Sequence, residues 1–320
     1  MQILRNPDPL QRCYDTSVVT IGNFDGVHRG HREIFQRMKA VSERTGYASV
    51  VVTFDPHPLA VIAPDVAPPL ITTPEQKAAL IAEEGIDCLA VIDFSSDFSR
   101  MSAEAFVREI LCAGLGMRHI IIGHDYAFGQ GRQGNYELLT KLGAACGFTL
   151  EDLEPVGAEG LIYSSSLARR MIADGDVAAV VSVLGRYHMI AGKVVHGRAM
   201  GHIIGFPTAN IATRNELVPL DGVYAVKVRF YGKLYDGACS IGINPTFESG
   251  IRAIEVFLLN FNGDLYGADI ELFFVRRLRD VQKFPDVDAL VKAITGDISM
   301  ARNILVGVEP GLIKPFISQP

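Results

Sequence analysis

Between residues 17 and 153 the chain switches its hydrophobic period repeatedly, and this constrains the fold more than any other feature. "SVVTI" (17–21), "YASVVVTF" (47–54), "DCLAVIDF" (87–94), "RHIIIG" (118–123) and "FTLEDL" (148–153) are short apolar runs that read as strands. Between them lie stretches of helical period, such as 30–44, where Ile34, Met38 and Val41 recur on one face. Thr73 before Pro74 opens another helix and Gly85 closes it, and helices are also expected over 102–114 and 135–147. Parallel strands need long crossovers, usually helical, so this alternation predicts an α/β domain with a parallel, Rossmann-like sheet covered on both faces. The proline-rich stretch 55–69 reads as a loop.

Near residue 162 the pattern changes. Residues 163–185 read as two short helices broken at Asp174-Gly175, and from 188 to about 276 strand signals follow one another without helices between them. Tyr231-Gly232-Lys233 and Asn262-Gly263-Asp264 suit tight antiparallel turns, so this half predicts a small antiparallel β-barrel. A terminal helix is expected over 286–306. The expected domains are 1–185 and 186–308, followed by a tail over 309–320.

At 320 residues with 48% hydrophobic and 21% charged side chains, the chain can bury two cores. The formal net charge of −6 argues against a nucleic-acid-binding or anionic-membrane surface and leaves room for a local anion site. The five cysteines are widely spaced, which suits reduced thiols in a cytoplasmic protein. No signal peptide and no membrane span are expected. Small-molecule substrates are the expected partners, with a monomer or a weak homo-oligomer as the assembly.

"GNFDGVHRGH" (22–31) stands where the first strand turns into the first helix. A helix start offers unpaired N–H groups and the positive end of its dipole to an anion. His28 and His31, three residues apart in the first turn, can both act on that anion and stabilise charge that grows on it. A zinc site needs a third ligand that the local sequence does not offer. A solvated turn is the plainer alternative.

Three further segments carry chemistry. In "DPHP" (55–58), prolines fix a loop at the carboxyl end of a strand, where ligands of open α/β sheets bind. His57 there faces a ligand or simply makes a turn, and both readings stand. In "GFPTAN" (205–210), Thr208 and Asn210 project to one side of an extended segment and offer hard oxygen ligands suited to Mg²⁺, though a plain turn also fits. In "AIEVF" (253–257), Glu255 shares a face with Ala253 and Phe257, and a carboxylate there needs a reason.

"GNFDGVHRGH" followed by "VVTFDPHP" resembles the N-terminal module of the bacterial bifunctional riboflavin kinase/FAD synthetase family, itself similar to the wider HxGH nucleotidyltransferases. "GHDYAFGQGRQGN" (123–135) and "SSSLAR" (164–169) extend the likeness. "GKVVHGRAMGHIIGFPTAN", "PLDGVYAVKV", "SIGINPTF" and "IEVFLLNFNGDLYG" follow in the order of riboflavin kinase modules. The resemblance implies phosphorylation of riboflavin to FMN by ATP, then adenylylation of FMN to FAD with release of pyrophosphate. It implies a six-stranded barrel and Mg²⁺ as cofactor.

It also implies site residues. His28 and His31 are the catalytic pair of adenylyl transfer, with Gly22, Asn23, Phe24, Asp25 and Gly30 in the ATP loop. Ser165, Ser166 and Arg169 bind the β- and γ-phosphates, and Asp55, His57 and Asp125 contact the flavin. In the barrel, Gly205, Phe206 and Pro207 bind ATP, Thr208 and Asn210 hold the metal, and Glu255 activates the ribityl hydroxyl. Arg279 lies near the flavin, where a surface ion pair is an equal reading. Leu167 and His202 stand where the family usually has Arg, which motivates the alternative of a member that binds flavin but keeps only one activity.

Overall fold

The computed structural model describes residues 1–123, 128–158, 160–197, 205–243 and 252–314. By its contacts the chain divides into two compact units, Met1–Pro69 with Pro74–Ser165, and Leu70–Thr73 with Ser166–Pro320. This division falls close to the change of pattern near residue 162, one helix pair before the expected boundary at residue 185.

The first unit holds six parallel strands in the order β1-β4-β3-β2-β5-β6. They are β1 (Gln2–Arg5), β2 (Ser17–Ile21), β3 (Ala48–Asp55), β4 (Cys88–Asp93), β5 (Met117–Gly123) and β6 (Thr149–Leu153). Side chains alternate across the sheet. Val19, Ile21, Val50, Val52, Ile120 and Ile122 face one layer, where Phe106, Leu111, Leu139 and Leu142 meet them. Val18, Val51, Leu89, Val91 and Ile121 face the other, against Phe35, Met38, Val41 and Ile81. Those helical residues come from α1 (Arg29–Thr45), α3 (Pro74–Glu83) and α5 (Tyr136–Cys146), and from α4 (Ala103–Ala105), which runs on as a π-helix over Phe106–Gly114.

Two features of this unit escaped the sequence pattern. The edge strand β1 is mostly exposed and shows no apolar run. The expected loop 55–69 contains a five-residue helix, α2 (Pro58–Ile62), with His57 as its N-cap. After β6, a two-stranded hairpin of β7 (Gly157–Ala158) and β8 (Leu161–Ile162) leads into α6 (Ser165–Ala173) and α7 (Val180–Leu184).

The second unit contains a closed barrel of six antiparallel strands in the order β10-β13-β12-β11-β14-β9. They are β9 (His188–Val195), β10 (Ala209–Thr213), β11 (Gly222–Phe230), β12 (Lys233–Ile243), β13 (Arg252–Leu258) and β14 (Asp269–Arg279). Closure removes exposed sheet edges. Val226, Val228, Ile254, Val256, Leu272 and Phe274 fill the interior. Their neighbours Ala225, Phe273 and Val275 face outward and are covered by Ala301 and Leu305 of α8 (Val287–Leu305). Within the expected tail, Ile313 packs into the same outer cluster, and Tyr187 N–H donates to the Leu312 carbonyl at 3.0 Å.

Tyr224 shows what the barrel interior demands of a polar group. Its ring is fully buried, edge-on to Phe274 at 5.4 Å, and its hydroxyl donates to the Leu220 carbonyl at 2.5 Å. A buried hydroxyl without a partner costs free energy. Tyr224→Phe should lower stability by about 1–2 kcal/mol, because the Leu220 carbonyl loses its donor. A reduced urea midpoint for unfolding of the full chain, with the fold retained by circular dichroism, is the expected result.

Candidate active sites

The sheet order locates the first site. The chain runs outward from β2 through β3 to β4, then returns to place β5 and β6 on the other side. Such a reversal leaves a crevice at the carboxyl ends of the strands. A cavity of about 370 Å³ opens there, lined by Ile21 of β2 and Gly22 after it, by Gly123 of β5 and by Leu153 of β6. Asn23, Phe24, His28, Gly30, His31 and Ser165 line it too.

The loop from β2 to α1 is tightly wound. Phe24, Gly26 and Val27 adopt positive φ of 48°, 78° and 38°. Positive φ in a phenylalanine or a valine is strained backbone that the surrounding packing must hold. Phe24 is held between His31, edge-on at 5.0 Å, and Phe35 at 5.1 Å. His28 caps α1, and its Nδ1 accepts from the His31 N–H at 3.4 Å. An accepting Nδ1 makes Nε2 the ring's N–H donor. The two imidazoles stack at 3.5 Å between centroids, 25° apart. Ser165 Oγ donates to the Asp25 carbonyl at 2.9 Å, which fixes the loop from the other side, and Asp25 itself is buried.

A second cavity of about 590 Å³ lies beside the first. Phe54, Phe94, Phe98, Phe106 and Phe128 line it in a chain of edge-on and tilted contacts at 5.6–6.5 Å, with Met101 and His57. Sequence reading missed this cage, since each phenylalanine looked like ordinary core. Phe94 and Phe98, four apart around a polar turn, were the available signal. Asn23 lines both cavities and meets His57 across them, with Asn23 Nδ2 and His57 Nε2 3.0 Å apart.

Lys77 was missed as well. From α3 its Nζ donates to the Asn23 carbonyl at 3.2 Å and to Thr53 Oγ1 at 3.1 Å. Burial pushes its pKa down, and the carboxylates of Asp25 and Asp55 oppose that shift.

The remaining expected residues of this unit are placed as follows. Asp55 pairs with Arg5 at 3.2 Å and does not line the aromatic cavity. Ser166 is exposed, and neither it nor Arg169 lines the first cavity. Leu167 is buried. Asp125 and His202 lie outside the described residues.

The barrel's residues gather on its outer wall. Along β13, Ile254, Val256 and Leu258 point inward, so Glu255 and Phe257 point out. Glu255 pairs in register with Asn210 of β10, and Thr208 Oγ1 donates to Glu255 Oε2 at 3.2 Å. Phe206 meets Phe257 edge-on at 5.8 Å, while Gly205 and Pro207 are exposed. The Asn210 amide lies over Gly197, where a Cβ would overlap it. Thr208, Asn210 and Glu255 therefore form one cluster of hard oxygen donors, which suits a magnesium ion. Arg279 is engaged internally: its guanidinium grips Asp297 of α8 at 2.7–3.1 Å and donates to the Asp280 carbonyl at 2.9 Å.

Fold and sites together define a class: a two-unit, nucleotide-dependent transferase with an HxGH crevice in one unit and an oxygen-rich cluster on the barrel of the other. Comparison with known proteins narrows it. Residues 10–167 match the family model for FAD synthetase and residues 184–305 that for riboflavin kinase. A bifunctional riboflavin kinase/FMN adenylyltransferase of Pseudomonas fluorescens is 38% identical over 305 residues, covering 95% of this chain and 98% of that protein. The protein of the same description from Escherichia coli K12 is 37% identical over 317 residues, covering 98% and 100%. The chain belongs to the bifunctional riboflavin kinase/FMN adenylyltransferase family. A solved chain described as a macrolide-efflux protein from Streptococcus pneumoniae is also similar, with a TM-score of 0.85 at 32% identity, covering 95% of this chain and 99% of that one. No helix among the described residues here is long and apolar enough to cross a membrane.

The packing of the HxGH turn predicts its sensitivity. A Cβ on Gly30 would sit 3.1 Å from Nδ1 and Cε1 of the His28 ring. Gly30→Ala should displace that ring and slow FAD formation about tenfold to a hundredfold, since small misplacements at a reacting centre are costly. FMN formation by the same preparation should be unchanged, as read by chromatographic separation of the flavin products.

Proposed function

We propose that the two cavities of the first unit hold ATP and FMN, and that the outward cluster of the barrel phosphorylates riboflavin. The observation that carries this reading is the meeting of the two cavities at Asn23, one lined by His28, Gly30 and His31 at the start of α1, the other aromatic. A planar, apolar ring system fits the aromatic cage, and a triphosphate fits the start of α1. The chain thus converts riboflavin to FMN and FMN to FAD. Each half matches its own family model, so a member with a single activity is not favoured.

In adenylyl transfer, an oxygen of the FMN phosphate attacks the α-phosphorus of ATP. The new P–O bond forms as the bond to pyrophosphate breaks, and pyrophosphate leaves with the electron pair. His28 donates through Nε2 to the charge that grows on the transferred group, and His31 supports it from the stacked position. Gly22, Phe24, Asp25 and Gly30 shape the phosphate loop, and Ser165 holds it closed.

In the kinase reaction, Glu255 accepts the proton of the ribityl 5′-hydroxyl as that oxygen attacks the γ-phosphorus. Thr208 and Asn210 would hold Mg²⁺, which neutralises phosphate charge when bound. Gly205, Phe206 and Pro207 border the nucleotide, and Arg279 steadies the strand end beside the flavin through Asp297. Functionally, residues 1–185 serve adenylyl transfer and 186–308 serve phosphorylation. A monomer or weak homo-oligomer in the cytoplasm completes the reading.

Incubation with riboflavin, ATP and Mg²⁺ should yield FMN and then FAD, and absence of both would sink the proposal. His28→Ala should stop FAD formation and spare FMN. Glu255→Ala should stop FMN formation while FAD is still made from added FMN. Loss of both activities from either single substitution in a folded protein would refute the two-site assignment.

A further inference from the structure

One charged side chain holds the phosphate loop while lining neither cavity. Lys77 reaches from α3 to the β2–α1 loop, where its Nζ donates to the Asn23 carbonyl at 3.2 Å and to Thr53 Oγ1 at 3.1 Å. Thr53, fully buried on β3, donates in turn to the same carbonyl at 3.2 Å. The Asn23 carbonyl is thus pinned by two donors that also bond each other. Both acceptors of Lys77 are neutral oxygens, and the carboxylates that act on its charge are Asp25 of the loop and Asp55 at the end of β3.

A trans peptide unit is planar, so its C=O and its N–H point in opposite directions. The N–H of the unit that carries the Asn23 carbonyl belongs to Phe24, and it therefore points away from Lys77 and Thr53. Among the described residues this N–H has no hydrogen-bond partner, although Phe24 is only 3% exposed and lines the first cavity. A backbone N–H left unpaired in a buried residue costs free energy unless a ligand or water takes it. Lys77 acts on that N–H in two ways. It fixes the tilt of the peptide plane, and its positive charge at the carbonyl oxygen polarises the unit and makes the N–H a stronger donor.

We propose that Lys77 is a positioning residue of adenylyl transfer, setting and polarising the Asn23–Phe24 peptide so that the Phe24 N–H meets a phosphoryl oxygen on which charge grows as the FMN phosphate attacks. Lys77 touches no substrate atom and transfers no proton. A donor fixed beforehand is worth more at such a place than one that must reorient. Burial lowers the pKa of Lys77 against the opposing pull of Asp25 and Asp55, so the ammonium loses its proton below the ordinary lysine range. The charge is present below that pKa and is lost as the pH rises through it, so the contribution of Lys77 fades at alkaline pH. The inference rests on the assignment of the first cavity to ATP.

The test uses the full chain, with its riboflavin kinase activity as a control for integrity. Lys77→Met should lower kcat for FAD formation about thirtyfold and leave KM for FMN within about twofold, because Lys77 does not line the aromatic cavity. Lys77→Arg, which keeps the charge and the donors, should recover most of that loss. The wild-type kcat should also fall at alkaline pH, and Lys77→Arg should lose this limb, because a guanidinium stays protonated there. Ionisation of the substrates is common to both chains and cancels in the ratio of their profiles. If Lys77→Met fails to fold, that ratio decides alone. A Lys77→Met chain that makes FAD at the wild-type rate would overturn the proposal. So would an unchanged alkaline limb in Lys77→Arg, or a loss in Lys77→Met confined to KM for FMN. A wild-type chain that makes no FAD from FMN and ATP would overturn the assignment of the cavities, and this inference with it.

Discussion

The first unit depends on the point where its sheet changes direction. β3 and β5 flank β2 on opposite sides, so the loops that follow β2 and β5 diverge and leave a crevice over the carboxyl ends of the strands. The start of α1 opens into that crevice with the positive end of its dipole. The HxGH turn does not create the anion site by itself. It stands at a crevice that the topology has already made, with His28 as the N-cap of its helix.

Holding that turn in place demands interactions that have no local sequence signature. Three positive-φ residues in the β2–α1 loop are tolerated because Phe24 is buried against His31 and Phe35, Ser165 closes the loop from α6, and Lys77 reaches it from α3. Ser165 and Lys77 are distant in sequence from the loop they support. Each binds a backbone carbonyl rather than a motif side chain. A motif records the groups that touch the ligand, whereas the frame that makes their geometry unique is spread along the chain.

The same contrast explains what was legible beforehand. The buried strands β2 to β5 announced themselves because residues such as Val18 and Val19, or Val50 and Val51, must be apolar on both faces of the sheet. β1 did not, because an exposed edge strand needs no such run. α6 and α7 were visible as helices, but apolar residues such as Leu167, Ala168 and Ile172 show only that a face is buried, not which unit covers it. The motifs named His28, Glu255 and Thr208 through their resemblance to a family. The aromatic cage stayed hidden because Phe54, Phe106 and Phe128 satisfy the rules for core and for a ligand wall equally well.

On the proposed reading the two halves would bind phosphate by opposite means, and the difference follows from their architecture. A parallel sheet covered by helices offers helix starts, so the first unit can meet an anion largely with backbone N–H groups and two neutral-capable rings. A closed six-stranded barrel has its interior filled by Val226, Val228, Leu272 and Phe274, and among the described residues no helix starts at the cluster. Its chemistry must then come from side chains on the outer face of the strands, at positions of alternate parity to the core. Thr208, Asn210 and Glu255 occupy such positions, and their donor set is wholly oxygen. Of these three, the Glu255 carboxylate repels phosphate unless a cation lies between them, so on the proposed reading this barrel surface would call for a divalent ion where the α1 crevice would not.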